Sequence, residues 1–278
     1  MFYQRLYIEI TNVCNLNCSF CLTTKRQPRF MSVAEFTHIL NEIEGYTDHI
    51  YLHLKSEPTL HPELETILDL AYHHQKKVHL VTNGTLLSQL TFDLVAHPAL
   101  VQLTISLQSI LAFKDTDKDN YFTALQNILT RSEDRDFSLF LRVWNENNAE
   151  IMARLKHHFG FDFKYRPNKH RIQIRKNLAL DFDQAFIWPS INNPFVSNQG
   201  SCYGGIKMMG ILVDGTLTPC CLDSEGELSL GNVYTGSFKN LITSSRYLSF
   251  TQGLALNQIR EELCQHCSYH LKHKKRLA

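Results

Sequence analysis

The chain is 278 residues long, 44% hydrophobic and 20% charged, with a formal net charge of +1. This allows one large α/β domain, or a large one and a small one, and the near-neutral balance points to neither nucleic acid nor a membrane surface as a partner. No run approaches the roughly 20 apolar residues of a membrane span, Arg5 and Glu9 within the first apolar run argue against a signal peptide, and a cytoplasmic protein is expected; the basic end "HLKHKKRLA" reads as a solvated tail.

The predicted elements alternate through the first two thirds of the chain. "YQRLYIEIT" (3–11) reads as a strand that feeds a cysteine-bearing loop. "SVAEFTHILNEIEG" reads as a helix, with Ser32 as N-cap, Glu35 completing a capping box and Gly45 past the end. "HIYLHL" (49–54) is a strand, and "HPELETILDLAYHHQ" a helix with Pro62 in its first turn. "KKVHLVTNG" is a strand ending in a turn, "SQLTFDLVAH" a short helix, and "LVQLTISLQS" (100–109) a strand. "NYFTALQNILTRSED" is a helix, "DFSLFLRVW" (136–144) a strand, "NNAEIMARLKHHFG" a helix and "HRIQIRK" (170–176) a sixth strand.

Strands alternating with helices of this length imply βαβ units and a parallel sheet. Right-handed crossovers would curl that sheet toward a barrel, and six units are fewer than the eight of a full one. The expected fold class is therefore α/β: a partial, open (β/α)6 barrel over 1–177, with ligands at the C-terminal ends of its strands. Proline and asparagine mark 178–200 as a linker. In 201–278, "IKMMGILVDGTLTPCC" carries a hairpin signal at Asp214-Gly215, and "SFKNLITSSRYLSF" and "NQIREELCQHC" read as short helices. A small C-terminal hairpin-plus-helix domain is expected there.

The eight cysteines fall into two groups. Disulfides are rare in a reducing cytoplasm, so two metal sites are expected. In "TNVCNLNCSFCLTT" (11–24), Cys14, Cys18 and Cys21 are spaced C-x3-C-x2-C. Three thiols are too few to close a four-ligand metal site and one too many for a disulfide. On a 4Fe–4S cluster, three thiolates would leave one iron open, the mark of a site built for chemistry.

"CNLNCSFC", with Phe20 before the last cysteine, resembles the loop of the radical S-adenosylmethionine (radical SAM) enzymes. The resemblance covers roughly residues 3–176. It implies that S-adenosylmethionine chelates the open iron and is cleaved reductively. The resulting 5′-deoxyadenosyl radical takes a hydrogen atom from the substrate. Weaker motifs follow in order. Ser56, Glu57 and Pro58 in "LKSEPTLHP" resemble the turn whose backbone meets the cofactor's amino group, with Ser56 where glycine is common. Asn83 in "TNG" ends the third strand. Ser106 resembles a contact to the cofactor's ribose or carboxylate, and Arg142 a partner for that carboxylate.

The later cysteines, Cys202, Cys220, Cys264 and Cys267, resemble the SPASM/twitch region appended to many radical SAM enzymes. That implies one auxiliary 4Fe–4S cluster with four protein ligands. Cys221 is then the spare thiol, although its role and that of Cys220 stay interchangeable at this point. All-cysteine ligation leaves no open iron, so electron transfer fits better than substrate binding. The expected function is an oxidoreductase that dehydrogenates its substrate through the auxiliary cluster. The alternatives are a peptide maturase, by crosslinking or epimerisation, and a non-enzymatic binding protein stapled by zinc. The substrate is expected to be a small molecule or a peptide, and the electron donor a flavodoxin or ferredoxin. Because the chain starts at the first strand, no separate N-terminal peptide-binding domain is expected. His53 and Tyr203 could face the barrel but are assigned no role.

Overall fold

The computed structural model describes residues 1–21, 24–143, 148–161, 170–182 and 187–271; the last seven residues of the basic tail lie outside them. In chain order the elements are β1 (Arg5–Ile8), α1 (Val33–Glu42), β2 (His49–Tyr51), α2 (Leu64–His73), β3 (Lys77–Thr82), β4 (Leu100–Ser106), α3 (Asp115–Arg131), β5 (Ser138–Val143), α4 (Ala149–Phe159), β6 (Arg171–Arg175), β7 (Leu178–Phe182), β8 (Met208–Ile211), β9 (Leu217–Thr218), α5 (Phe238–Leu241), α6 (Ser245–Ala255) and α7 (Glu262–Gln265). The fold class is the expected one: α/β, with parallel strands joined by helical crossovers and a hairpin followed by short helices at the C-terminal end. The chain divides into two units, each discontinuous in sequence.

The first unit holds Met1–Val13, Cys21–Ser56 and Phe186–Ala278. Its strands run in the order β2-β1-β8-β9, with β1 parallel to both β2 and β8, and β9 antiparallel to β8. Side chains alternate across β1: Leu6, Ile8 and Ile10 are fully buried, each contributing on the order of 2 kcal/mol by removal from water. Glu9 is also fully buried, and a buried carboxylate needs a partner. Arg26 donates to it at 2.7 Å and the Val213 backbone N–H at 3.0 Å. The Ser32 capping box is present: Ser32 Oγ accepts from Glu35 N, and the Glu35 carboxylate accepts from Ser32 N. Phe36, Ile39 and Leu40 then form the buried stripe of α1. The predicted hairpin is β8–β9, and its first strand has a second neighbour, β1, that the local pattern does not announce. Gly215 sits at φ +86°, where an added Cβ would strike the Tyr234 ring.

The second unit holds Cys14–Phe20 and Glu57–Ala185. Its strands run β3-β4-β5-β7-β6, parallel except for β6. Leu80, Leu103, Leu139, Leu141 and Leu180 are fully buried and build the core of this sheet. Three expectations are corrected here. Strand 171–175 exists, but it lies antiparallel at the edge, and the parallel place beside β5 belongs to β7, within the stretch expected as linker. The reason is burial: Leu178, Ala179, Leu180 and Phe182 are buried and suit an interior strand, whereas the charged alternation of "RIQIR" suits an edge. Pro62 precedes helix α2 instead of lying in its first turn, since Glu63 is the N-cap. The helix expected over "SQLTFDLVAH" shrinks to one 3-10 turn, Leu94–Ala96, capped by Asp93. His97 precedes Pro98, which disfavours helical backbone at that point.

Candidate functional site

The cysteine loop leaves β1 through a zipped base in the first unit. Thr11 and Phe30 form an antiparallel bridge. Asn12 Nδ2 donates to the Gln27 carbonyl at 2.8 Å, and its Oδ1 accepts from Arg29 N at 2.7 Å. Beyond the loop, the Glu225 carboxylate accepts from Thr24 Oγ1, Lys25 N and Lys55 Nζ at 3.0–3.3 Å. Cys21 belongs to this unit and is half-buried, whereas Cys18, Phe20 and the exposed Cys14 belong to the second.

Within the second unit, Cys14 meets the turn that ends β3. Asn83 Nδ2 lies 4.0 Å from Cys14 Sγ and donates to Asn15 Oδ1 at 2.9 Å. Asn83 Oδ1 accepts from Thr85 N and Thr85 Oγ1, and Thr85 Oγ1 in turn accepts from Asn15 Nδ2 at 2.8 Å. Glu57 ties this turn down. Its Oε1 accepts from Thr59 N, Thr59 Oγ1 and Thr82 Oγ1, and its Oε2 from Asn83 N at 2.6 Å. Burial pushes the Glu57 carboxyl above its ordinary value, and these hydrogen bonds offset only part of that rise. Gly84, at φ +83°, leaves no room for a side chain: a Cβ would lie 2.8 Å from the Tyr121 hydroxyl.

Structure and sequence thus bring Cys14, Glu57 and Asn83 together. Pro58 is buried and starts the 3-10 turn that Glu57 caps. Ser106 and Arg142 are register neighbours on β4 and β5. Ser56 falls in the first unit, and its Oγ is buried with no hydrogen-bond partner among the described residues. An orphaned hydroxyl at the turn expected to meet the cofactor suits a polar ligand there. Sequence reasoning missed Asn15, Thr59, Thr82 and Thr85. The "TNGT" stretch carried a local signal, because an Asn side chain commonly accepts from the backbone two residues on.

The second cysteine group lies within the first unit. Cys202, Cys220, Cys264 and Cys267 line one cavity. Leu228, Phe250, Leu254, Ile259 and Leu263 form its apolar wall. Three of the sulfurs accept the backbone N–H two residues on: Cys202 from Gly204, Cys220 from Leu222 and Cys267 from Tyr269, at 3.3–3.4 Å. Burial, and then the charge of neighbouring Cys220, push Cys202 up to about 12. The same causes raise Cys267 to about 11. Among the described residues no Lys or Arg lines the cavity, so four thiolates there suit a site that takes its positive charge from a metal. Among the described residues, no three His, Cys, Asp or Glu side chains converge on a point for a single ion. A 4Fe–4S cluster asks for something else, one thiolate on each iron, and four thiols spread around one apolar cavity fit it. Cys221 does not line the cavity; its thiol lies within hydrogen-bonding reach of Cys220 and Tyr7.

Among the described residues no helix is long and apolar enough to cross a membrane. Residues 8–130 match the Radical SAM superfamily, and residues 202–268 match the SPASM iron-sulfur cluster-binding domain. The antilisterial bacteriocin subtilosin biosynthesis protein AlbA of Bacillus subtilis (strain 168) is 25% identical over 268 residues, covering 85% of this chain and 58% of AlbA. The mycofactocin maturase MftC of Mycobacterium tuberculosis (strain ATCC 25618 / H37Rv) is 31% identical over 107 residues, 37% of this chain and 27% of MftC. The chain thus spans little more than half the length of the first of these relatives and about a quarter of the second. In fold, it is similar to the crystal structure of BtrN in complex with AdoMet and 2-DOIA, with a TM-score of 0.58 at 13% identity, covering 96% of this chain and 94% of that one. The chain carries a radical SAM superfamily domain over residues 8–130 and a SPASM iron–sulfur cluster-binding domain over residues 202–268.

Proposed function

We propose that the chain is a radical SAM oxidoreductase with one auxiliary cluster, acting on a peptide. Cys14, Cys18 and Cys21 hold a 4Fe–4S cluster, with Phe20 beside the last ligand. Cys202, Cys220, Cys264 and Cys267 hold the auxiliary one. When bound, the first cluster and S-adenosylmethionine supply reductive cleavage and hydrogen-atom abstraction, and the auxiliary cluster supplies a one-electron acceptor. The chain's own residues bind and orient. Ser56, Glu57 and Pro58 shape the turn for the cofactor's amino group. Asn83, Ser106 and Arg142 face the cofactor from three successive strand ends, with the Arg142 guanidinium for its carboxylate.

The observation that carries the oxidative reading is the shared cavity of four thiols. With every position filled by protein, that site offers a substrate no open ligand place. A peptide substrate is supported by likeness to AlbA, named for bacteriocin biosynthesis, along most of this chain, and to the maturase MftC over a shorter stretch. Crosslinking is the second reading, since joining two residues of a peptide also removes two hydrogens and needs an electron acceptor. The reductant in this account is a flavodoxin or ferredoxin, and the compartment is the cytoplasm, where thiols stay reduced.

The test compares reconstituted wild type with Cys264→Ala, each given S-adenosylmethionine, dithionite and a candidate precursor peptide. The reading expects both to form 5′-deoxyadenosine, and only wild type to yield peptide lighter by two hydrogens. Equal yields of oxidised peptide from both proteins overturn the electron-acceptor role. A product of that mass containing a new covalent bond between residues favours crosslinking.

A further inference from the structure

We propose that Asn83 is a positioning residue for the three-cysteine cluster: its side-chain amide donates to Cys14 Sγ and thereby sets the reduction potential of the cluster held there. This rests on the reading of Cys14 as a cluster ligand.

The amide can face only one way. Its oxygen accepts from Thr85 N at 2.9 Å and from Thr85 Oγ1 at 2.6 Å, which uses both lone pairs. Its nitrogen has two protons and two acceptors, Asn15 Oδ1 at 2.9 Å and Cys14 Sγ at 4.0 Å. A flipped amide would set N–H against the N–H of Thr85 and oxygen against the Asn15 oxygen. The backbone is held as firmly. Asn83 N donates to Glu57, and its carbonyl accepts from Ser109 Oγ at 2.9 Å. Every polar group of Asn83 therefore has a partner, and the residue is 9% exposed. The contact at 4.0 Å is long for a neutral thiol, which is a weak acceptor. A cluster-bound thiolate is a stronger one, because charge assists the bond.

The energetic direction follows from charge. Reduction adds an electron to the cluster and negative charge to its sulfurs, and an N–H dipole aimed at a sulfur stabilises the reduced state more than the oxidised one. Removing the donor makes the cluster harder to reduce.

The test uses the full chain, reconstituted anaerobically, with the three-cysteine cluster identified by the change of its EPR signal on adding S-adenosylmethionine. The probe is a potentiometric titration of that signal, so turnover is not needed. Asn83→Ala is expected to shift the midpoint potential to a more negative value at full iron content. Asn83→Asp keeps the acceptor for Thr85, loses the donor and adds a charge, so its shift is expected to be larger in the same direction. Should Asn83→Ala fail to fold, Asn83→Ser, neutral and too short to reach Cys14, decides in its place, because the Asp charge alone lowers the potential. A potential unmoved or raised in the folded variants, with iron content intact, overturns the inference alone. A wild-type protein with no S-adenosylmethionine-responsive cluster overturns it together with the reading of Cys14.

Discussion

The backbone N–H of Asn83 donates to Glu57 Oε2 at 2.6 Å, across 26 residues of chain. The same carboxylate takes three more donors, from Thr59 and Thr82. Glu57 is 1% exposed, so removing it strands buried donors away from water. Glu57→Ala should cost about 2–4 kcal/mol of stability, measured by urea unfolding. Glu57→Gln should cost less, since its amide oxygen keeps part of the acceptor set. A loss under about 0.5 kcal/mol for the Ala variant, the scale of an ordinary surface change, would show that the turn is held by something else.

The cysteine assignments separate by metal content. Wild type reconstituted with iron and sulfide should carry about eight irons per chain, as two 4Fe–4S clusters require. Cys264→Ala should lose about half of them, and Cys221→Ala should keep them all, because Cys221 faces Tyr7 and Cys220 outside the cavity wall. If Cys221→Ala halves the iron and Cys220→Ala does not, the two adjacent thiols have exchanged roles.

Glu35 gives a pH prediction. Burial raises its carboxyl, but the hydrogen bonds from Ser32 and the Arg29 guanidinium outweigh that and hold it below the usual value. A depressed carboxyl stabilises the fold above the unfolded-state value of about 4.3. That contribution is lost as pH falls through the folded value. Glu35→Gln keeps a capping oxygen but loses the charge paired with Arg29, so it should destabilise at pH 7 by about 0.5 kcal/mol. The gap between variant and wild type should close as the pH is lowered through 4. A gap independent of pH between 7 and 3 contradicts the assignment.

Much of this was legible in the sequence where the signal was local. Ser32 with Glu35 specifies a helix start within four residues, and Asp214-Gly215 specifies a turn within two. What escaped is set by partners far apart in the chain. β8 lies beside β1, some 200 residues earlier, and no pattern within "MMGI" names that neighbour. β6 and β7 both look like strands, and burial decides which is interior. The Asn15–Asn83–Thr85 ring closes over about 70 residues through side-chain hydrogen bonds, which hydrophobic periodicity does not encode.

The central claim is that three thiols at Cys14, Cys18 and Cys21 hold a cluster that cleaves S-adenosylmethionine. The most direct measurement is 5′-deoxyadenosine formed by the reconstituted chain under dithionite, set against Cys18→Ala carried through the same reconstitution. The account predicts accumulation of 5′-deoxyadenosine with wild type and only background with the variant, while the variant keeps the auxiliary cluster and about half the iron. Equal background from both proteins, with wild type fully loaded, would contradict it.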